Sequence, residues 1–115
     1  MIVRASDSAR VAFGDLMIHD YTADAGVSSS FAVIHVRPGA RHPMARSERS
    51  DKYYFVVDGS VSFTLGDEKH RLDKGDFCMV PQGTVFGYEN DSVDEAVMIL
   101  VHTPEFDLQC ETILE

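Results

Sequence analysis

GDFCMVPQGTVFGYEN, the stretch from Gly75 to Asn90, decides the fold. It holds two short β-forming runs, Asp76-Val80 and Thr84-Glu89, separated by Pro81-Gln82-Gly83, a turn that no continuous strand or helix accommodates. Phe77 to Val80 is apolar without a break, and Cys78 inside it reads as a small buried hydrophobe. Lys74-Gly75-Asp76 is a tight turn leading in. Working outward, similar runs recur at Arg10-Phe13, Asp15-His19, Ser28-Arg37, Lys52-Asp58, Ser60-Leu65, Lys69-Asp73 and Glu95-Val101. Asp58-Gly59 and Gly66-Asp67 are hairpin dipeptides between them. Sustained helical periodicity is absent, so the chain is all-β, a sandwich or small barrel that pairs or closes its edges. Pro38 to Asp51 carries no strand pattern and is expected to be a long loop, the kind of segment that carries function. Phe106 to Glu115 is an edge strand or a tail.

The 115 residues make one domain's worth, and 44% hydrophobic with 25% charged residues is ordinary globular composition. The longest unbroken apolar run is Ala96 to Val101, far short of a membrane span. The start, MIVRASDSAR, has no apolar signal-peptide core, so a cytoplasmic location is expected. A net charge of -9 disfavours phosphate backbones and anionic bilayers, so neither nucleic acid nor membrane is expected as a partner. Half of the ten basic residues (Arg37, Arg41, Arg46, Arg49, Lys52) nevertheless fall in one window. That window is either a solvated loop or a site for a small anion.

Two segments resemble the motifs of the cupin superfamily. Its first motif runs from a glycine through His-x-His and a glutamate to a hairpin glycine, and Gly39 to Gly59 has the right length. The second runs from a glycine through Pro-x-Gly to a histidine and an asparagine; Gly75, Pro81, Gly83, Phe86 and Asn90 take those positions. The resemblance implies a jelly-roll-like antiparallel barrel over residues 1-115, often dimeric, with a divalent metal in the lumen. Here the ligand positions are substituted. Ala45 and Ser47 (or, one residue over, Arg46 and Glu48) replace the histidine pair, Lys52 replaces the glutamate, and Phe86 replaces the last histidine. An ammonium group has no lone pair for a metal, so no metal and no cofactor are expected. An improvised set drawn from His42, Glu48, Asp51, His35 and His102 lacks fixed spacing.

Period-two alternation puts Lys52, Tyr54 and Val56 on one face of their strand, the lumen face by the family pattern, and Tyr53, Phe55 and Val57 on the other. Lys52 and Tyr54 are therefore the candidate catalytic residues, with Lys52 either a base, imine-former or anion clamp inside, or a rim residue paired with Asp51 or Glu48. Arg46, His35, Phe86, Tyr88 and His102 are the candidate ligand-binding residues. His35 and Arg37 share a face that alternation leaves undecided between lumen and surface, because Ala32, Ile34 and Val36 make the opposite face equally apolar. His42, between Arg41 and Pro43, reads as exposed loop. The expected function is binding of a small anionic or carbohydrate-like molecule in the lumen, extending to metal-independent isomerase or lyase chemistry. The alternatives are a metal-dependent dioxygenase or isomerase with atypical ligands, and a non-catalytic dimeric barrel whose outer face (Tyr53, Phe55, Val57) is covered by a second copy.

Overall fold

The computed structural model describes every residue from Met1 to Glu115. Eleven strands follow in order: β1 (Ala9–Phe13), β2 (Leu16–Asp20), β3 (Ser30–Val36), β4 (Arg41–Ser47), β5 (Asp51–Asp58), β6 (Ser60–Leu65), β7 (Glu68–Asp73), β8 (Phe77–Val80), β9 (Phe86–Glu89), β10 (Ala96–Thr103) and β11 (Glu111–Ile113). They form a six-stranded sheet, β1-β2-β3-β10-β5-β8, and a five-stranded sheet, β11-β4-β9-β6-β7. Neighbours pair antiparallel throughout, as the hairpin turns require. This is the jelly-roll-like, antiparallel barrel architecture. No helix is long and apolar enough to cross a membrane.

The core lies between the sheets. Fifteen buried apolar residues form it, with Tyr54, Phe63, Phe86 and Tyr88 packed as an aromatic cluster at its centre, ring centroids 5.2–6.2 Å apart. The alternation read along β5 holds: Lys52, Tyr54 and Val56 are buried while Phe55 and Val57 are exposed.

One expectation fails. Pro38 to Asp51 is not a loop, because residues 41 to 47 form β4, pairing with β9 and β11. The alternation there was hidden by Pro43 and by a register shift between His42 and Ala45, which breaks the period of two. Of the two readings of residues 106 to 115 the edge strand is the one found: β11 lies at the sheet edge and is entered through one 3-10 turn, Leu108–Cys110.

Gly87 makes the bulged approach possible. A Cβ there would lie 2.6 Å from Met44 Sδ and 3.2 Å from the His42 carbonyl oxygen, so any larger residue would have to displace the Met44 thioether and crowd the bulge. Asn90, the last residue of the second motif, is a structural tie. Its buried amide donates to the carbonyls of Val36 (2.8 Å) and Asp94 (2.7 Å).

Candidate functional site

Strand register brings Lys52 of β5 opposite His102 of β10, and His102 opposite Ser30 of β3, at one end of the six-stranded sheet. Across the barrel, β4 contributes His42 and β9 contributes Tyr88, which pair with each other in register. The last strand, β11, closes the side of this space with Glu111. The result is a cavity of about 420 Å³ with a largely apolar wall from β1, β2, β3 and the segment after β10. Its polar lining is formed by His42, Lys52, Tyr54, Tyr88, His102 and Glu111, with Ser30 and Asp20.

Lys52 is the centre of that polar lining. Its ammonium donates to Glu111 Oε1 (2.6 Å) and to His102 Nε2 (2.9 Å), and lies 5.2 Å from the centroid of the Phe86 ring. Burial lowers its pKa, and the Glu111 carboxylate opposes that shift. His102 accepts from Lys52, so its own proton sits on Nδ1. Burial first, and then the Lys52 charge, lower His102 to about 3.

His42 is held differently. Its Nδ1 lies 2.7 Å from the Pro43 carbonyl oxygen. A carbonyl only accepts, so Nδ1 carries the hydrogen and Nε2 keeps a free lone pair. The ring is stacked against Phe13 (centroids 5.0 Å apart) and packed against Phe86 and Tyr88 at 5.0 and 5.3 Å. Desolvation in this aromatic box pushes its pKa down to about 4, with Lys52 adding to the drop, so the imidazole is neutral at pH 7. Burial pushes the hydroxyls of Tyr54 and Tyr88 up, Tyr54 well above its ordinary value. Both stay protonated. Two buried polar atoms in this space have no protein partner: Tyr88 Oη and Glu111 Oε2.

Of the residues singled out from sequence, Lys52, Tyr54, Tyr88 and His102 line one cavity. Phe86 is wholly buried behind Lys52 and His42 and forms no part of the cavity wall. His35 is corrected outright. Ile34 and Val36 take the inward face of β3, and His35 points outward, with Nδ1 3.4 Å from Glu95 and its ring against His19. Arg46 is also misplaced: on β4 the buried positions are Ala45 and Ser47, which turns Arg46 outward onto Glu48. The basic window dissolves in the same way. Arg37 faces Asp15, Arg41 Glu115, Arg46 Glu48, Arg49 Glu105, and Lys52 Glu111, so each cation already has its carboxylate.

Sequence reasoning placed His42 in the solvent and gave Glu111 no role. His42 gave no usable signal, because Pro43 and the register shift hide the strand that brings it beside Tyr88. Glu111 had only an indirect signal: a lysine inside a barrel demands a counter-charge.

The donor set does not fit the metal that cupin barrels usually hold. No group of three or more His, Cys, Asp or Glu side chains is gathered to hold an ion, and the Lys52 ammonium fills the space between His102 and Glu111. Glu48, Asp51 and His35 are drawn off by Arg46, the Gln82 amide and Glu95.

The profile of the cupin domain family matches residues 32–102. The chain belongs to the cupin family. An uncharacterised protein of Streptomyces coelicolor is 28% identical over 104 residues, covering 88% of this chain and 86% of the relative. Among solved structures, Streptomyces Pac13, described as a nucleoside dehydratase, superposes with a TM-score of 0.87 at 23% identity, over 100% of this chain and 91% of Pac13. Pac13 has also been solved with uridine, in forms with a histidine changed to glutamine or a tyrosine changed to phenylalanine. KdgF from Halomonas sp. matches with a TM-score of 0.80 at 21% identity, over 93% of this chain and 97% of KdgF. At these identities the cupin's likeness to both structures establishes the barrel alone.

Proposed function

We propose that this cupin is a metal-independent lyase that removes water from a small hydroxylated carbonyl compound bound in the lumen. One observation carries the reading: a neutral, tautomer-fixed His42 shares a cavity with a protonated Lys52 held by Glu111 and His102. That is a base and an acid in one desolvated space.

A neutral imidazole whose pKa is depressed to about 4 is a weak base, so the hydrogen it removes must be acidified by an adjacent carbonyl. His42 Nε2 takes that α-proton. The carbon–oxygen bond at the β-carbon breaks, the carbon–carbon double bond forms, and Lys52 gives a proton to the departing hydroxide, which leaves as water. Afterwards His42 is protonated and Lys52 neutral, and a proton passing from one to the other restores both. Tyr54, Phe13 and the apolar wall exclude water and strengthen each of these interactions. The description of Pac13 as a nucleoside dehydratase supports the same reaction class for this pocket.

The test is proton exchange and water loss. Incubated in deuterated buffer with β-hydroxy aldehydes derived from nucleosides and pentoses, the protein is expected to exchange the α-hydrogen and release the unsaturated product, both read by NMR. His42→Gln should abolish exchange. Wild-type protein that exchanges nothing, or a His42→Gln variant that exchanges normally, rejects the reading.

We propose in addition that the barrel is a homodimer joined through the outer face of β3, β10, β5 and β8. Phe31, Phe55, Val57, Phe77 and Met79 are exposed there. Phe55 faces Phe77, and Tyr53 faces Met79, across adjoining strands, so the patch is continuous up to the unpaired edge β8. Sedimentation equilibrium measures the mass directly, and a monomer at high concentration rejects the dimer.

A further inference from the structure

The charge and hydrogen-bond inventory of the cavity narrows what enters it. Lys52 is the only cation on its wall, and its charge is matched by Glu111 at 2.6 Å. Asp20 also lines the cavity, while His42 and His102 are neutral at pH 7. The space therefore carries a net negative charge inside a chain of net charge -9. No guanidinium reaches it, since the arginines of the basic window are all on the outside with carboxylates of their own. A phosphate or carboxylate would enter against this field with no donor fork to receive it.

Tyr88 Oη and Glu111 Oε2 are buried without partners, and leaving such atoms unpaired is costly. A carboxylate oxygen can only accept, so Glu111 Oε2 calls for a donor from the ligand. A tyrosine hydroxyl both gives and takes. A ligand hydroxyl can serve either atom, giving its proton to Glu111 or sharing one with Tyr88. The rest of the lining, with Phe13, Ile18, Leu100 and Phe106, is apolar and suits a flat or hydrocarbon portion.

We infer that the cavity selects an uncharged molecule bearing free hydroxyls on an apolar ring frame and rejects its phosphate ester, with Tyr88 and Glu111 as the specificity-determining residues. This rests on the lumen being the ligand site, as in the function proposed above, but not on any chemistry occurring there.

Titration calorimetry with uridine and uridine 5′-monophosphate as probes tests it. Uridine is expected to bind at least about tenfold more tightly than its phosphate. Glu111→Gln removes the negative charge from beside Lys52, so it should weaken uridine and strengthen the phosphate, narrowing or reversing the ratio. Tyr88→Phe, which keeps the ring, should weaken uridine about fivefold through one lost hydrogen bond. It keeps the question open to test should Glu111→Gln melt early. Equal or tighter binding of the phosphate by wild-type protein, a Glu111→Gln ratio unchanged, or no binding of either probe overturns the inference. Selective uridine binding by a protein that exchanges no α-hydrogen would reject the catalytic reading and leave this one standing.

Discussion

The same three strands, β3, β5 and β10, end in two different interiors. At one end Val36, Val56, Ala96 and Met98 meet in register and are wholly buried, an apolar set that fills its own space. At the other end Ser30, Lys52 and His102 stand in the equivalent rows beside a cavity. Only a few steps of the two-residue period separate them. The packed end sets the geometry and the open end uses it. Methyl groups can close on one another, whereas a lysine bonded to a carboxylate and an imidazole must keep its partners at hydrogen-bond distance, which holds the space open.

The contrast breaks most severely at the packed end. Met98→Ala removes a fully buried side chain from between the sheets and should cost about 4 kcal/mol in urea unfolding, with no new binding partner gained. Lys52→Met comes next. It strands Glu111 in a buried setting and should cost about 3 kcal/mol, most of which a second change, Glu111→Leu, should restore. If the single and double variants are equally destabilised, the pair is not what holds that end together.

Acid should act on the open end through its two buried imidazoles. The folded-state pKa values of His42 and His102, about 4 and about 3, lie below the ordinary 6.5 of an unfolded chain. The unfolded state therefore binds these protons first. The stability tied to the two neutral rings is fully present above about pH 6.5 and drains as pH falls towards 4 and then 3. Urea midpoints measured between pH 7 and pH 4 should fall, and His42→Gln should flatten the upper part of that slope. The same variant at pH 7 should change stability by less than about 1 kcal/mol while lowering the proposed α-hydrogen exchange at least a hundredfold, about the contribution of one general base. The smallest effect on stability is expected outside both interiors. Phe55→Glu on the exposed face should stay within about 0.5 kcal/mol, and should halve the mass seen in sedimentation.

Most of the barrel was legible because its signals are local. Hairpin dipeptides and period-two runs mark β5 through β9, and the spacing from Gly75 to Asn90 reflects an asparagine tie and turn glycines that any barrel of this kind needs. β4 was not legible, since Pro43 and a register shift erase the alternation by which a strand is recognised. The site was legible only along β5, β9 and β10. Lys52 and Tyr54 follow from period-two alternation once the resemblance sets the lumen face, and Tyr88 and His102 from their places in the family pattern, but whether His35 points in or out depended on which of two equally apolar faces the five-stranded sheet would cover. Glu111 lies 59 residues from Lys52 in sequence, and nothing in spacing joins the two. The basic window misled for a related reason: clustered arginines look like an anion site until the fold supplies the carboxylates that neutralise them one by one.

Lys52 has a consequence for supply. A diffusible ion in a barrel is only as abundant as the surrounding medium makes it, can be stripped by a competitor, and can be replaced by the wrong element. An ammonium tethered to β5 and held by Glu111 and His102 arrives with every copy of the chain, in fixed stoichiometry, and no chelator removes it.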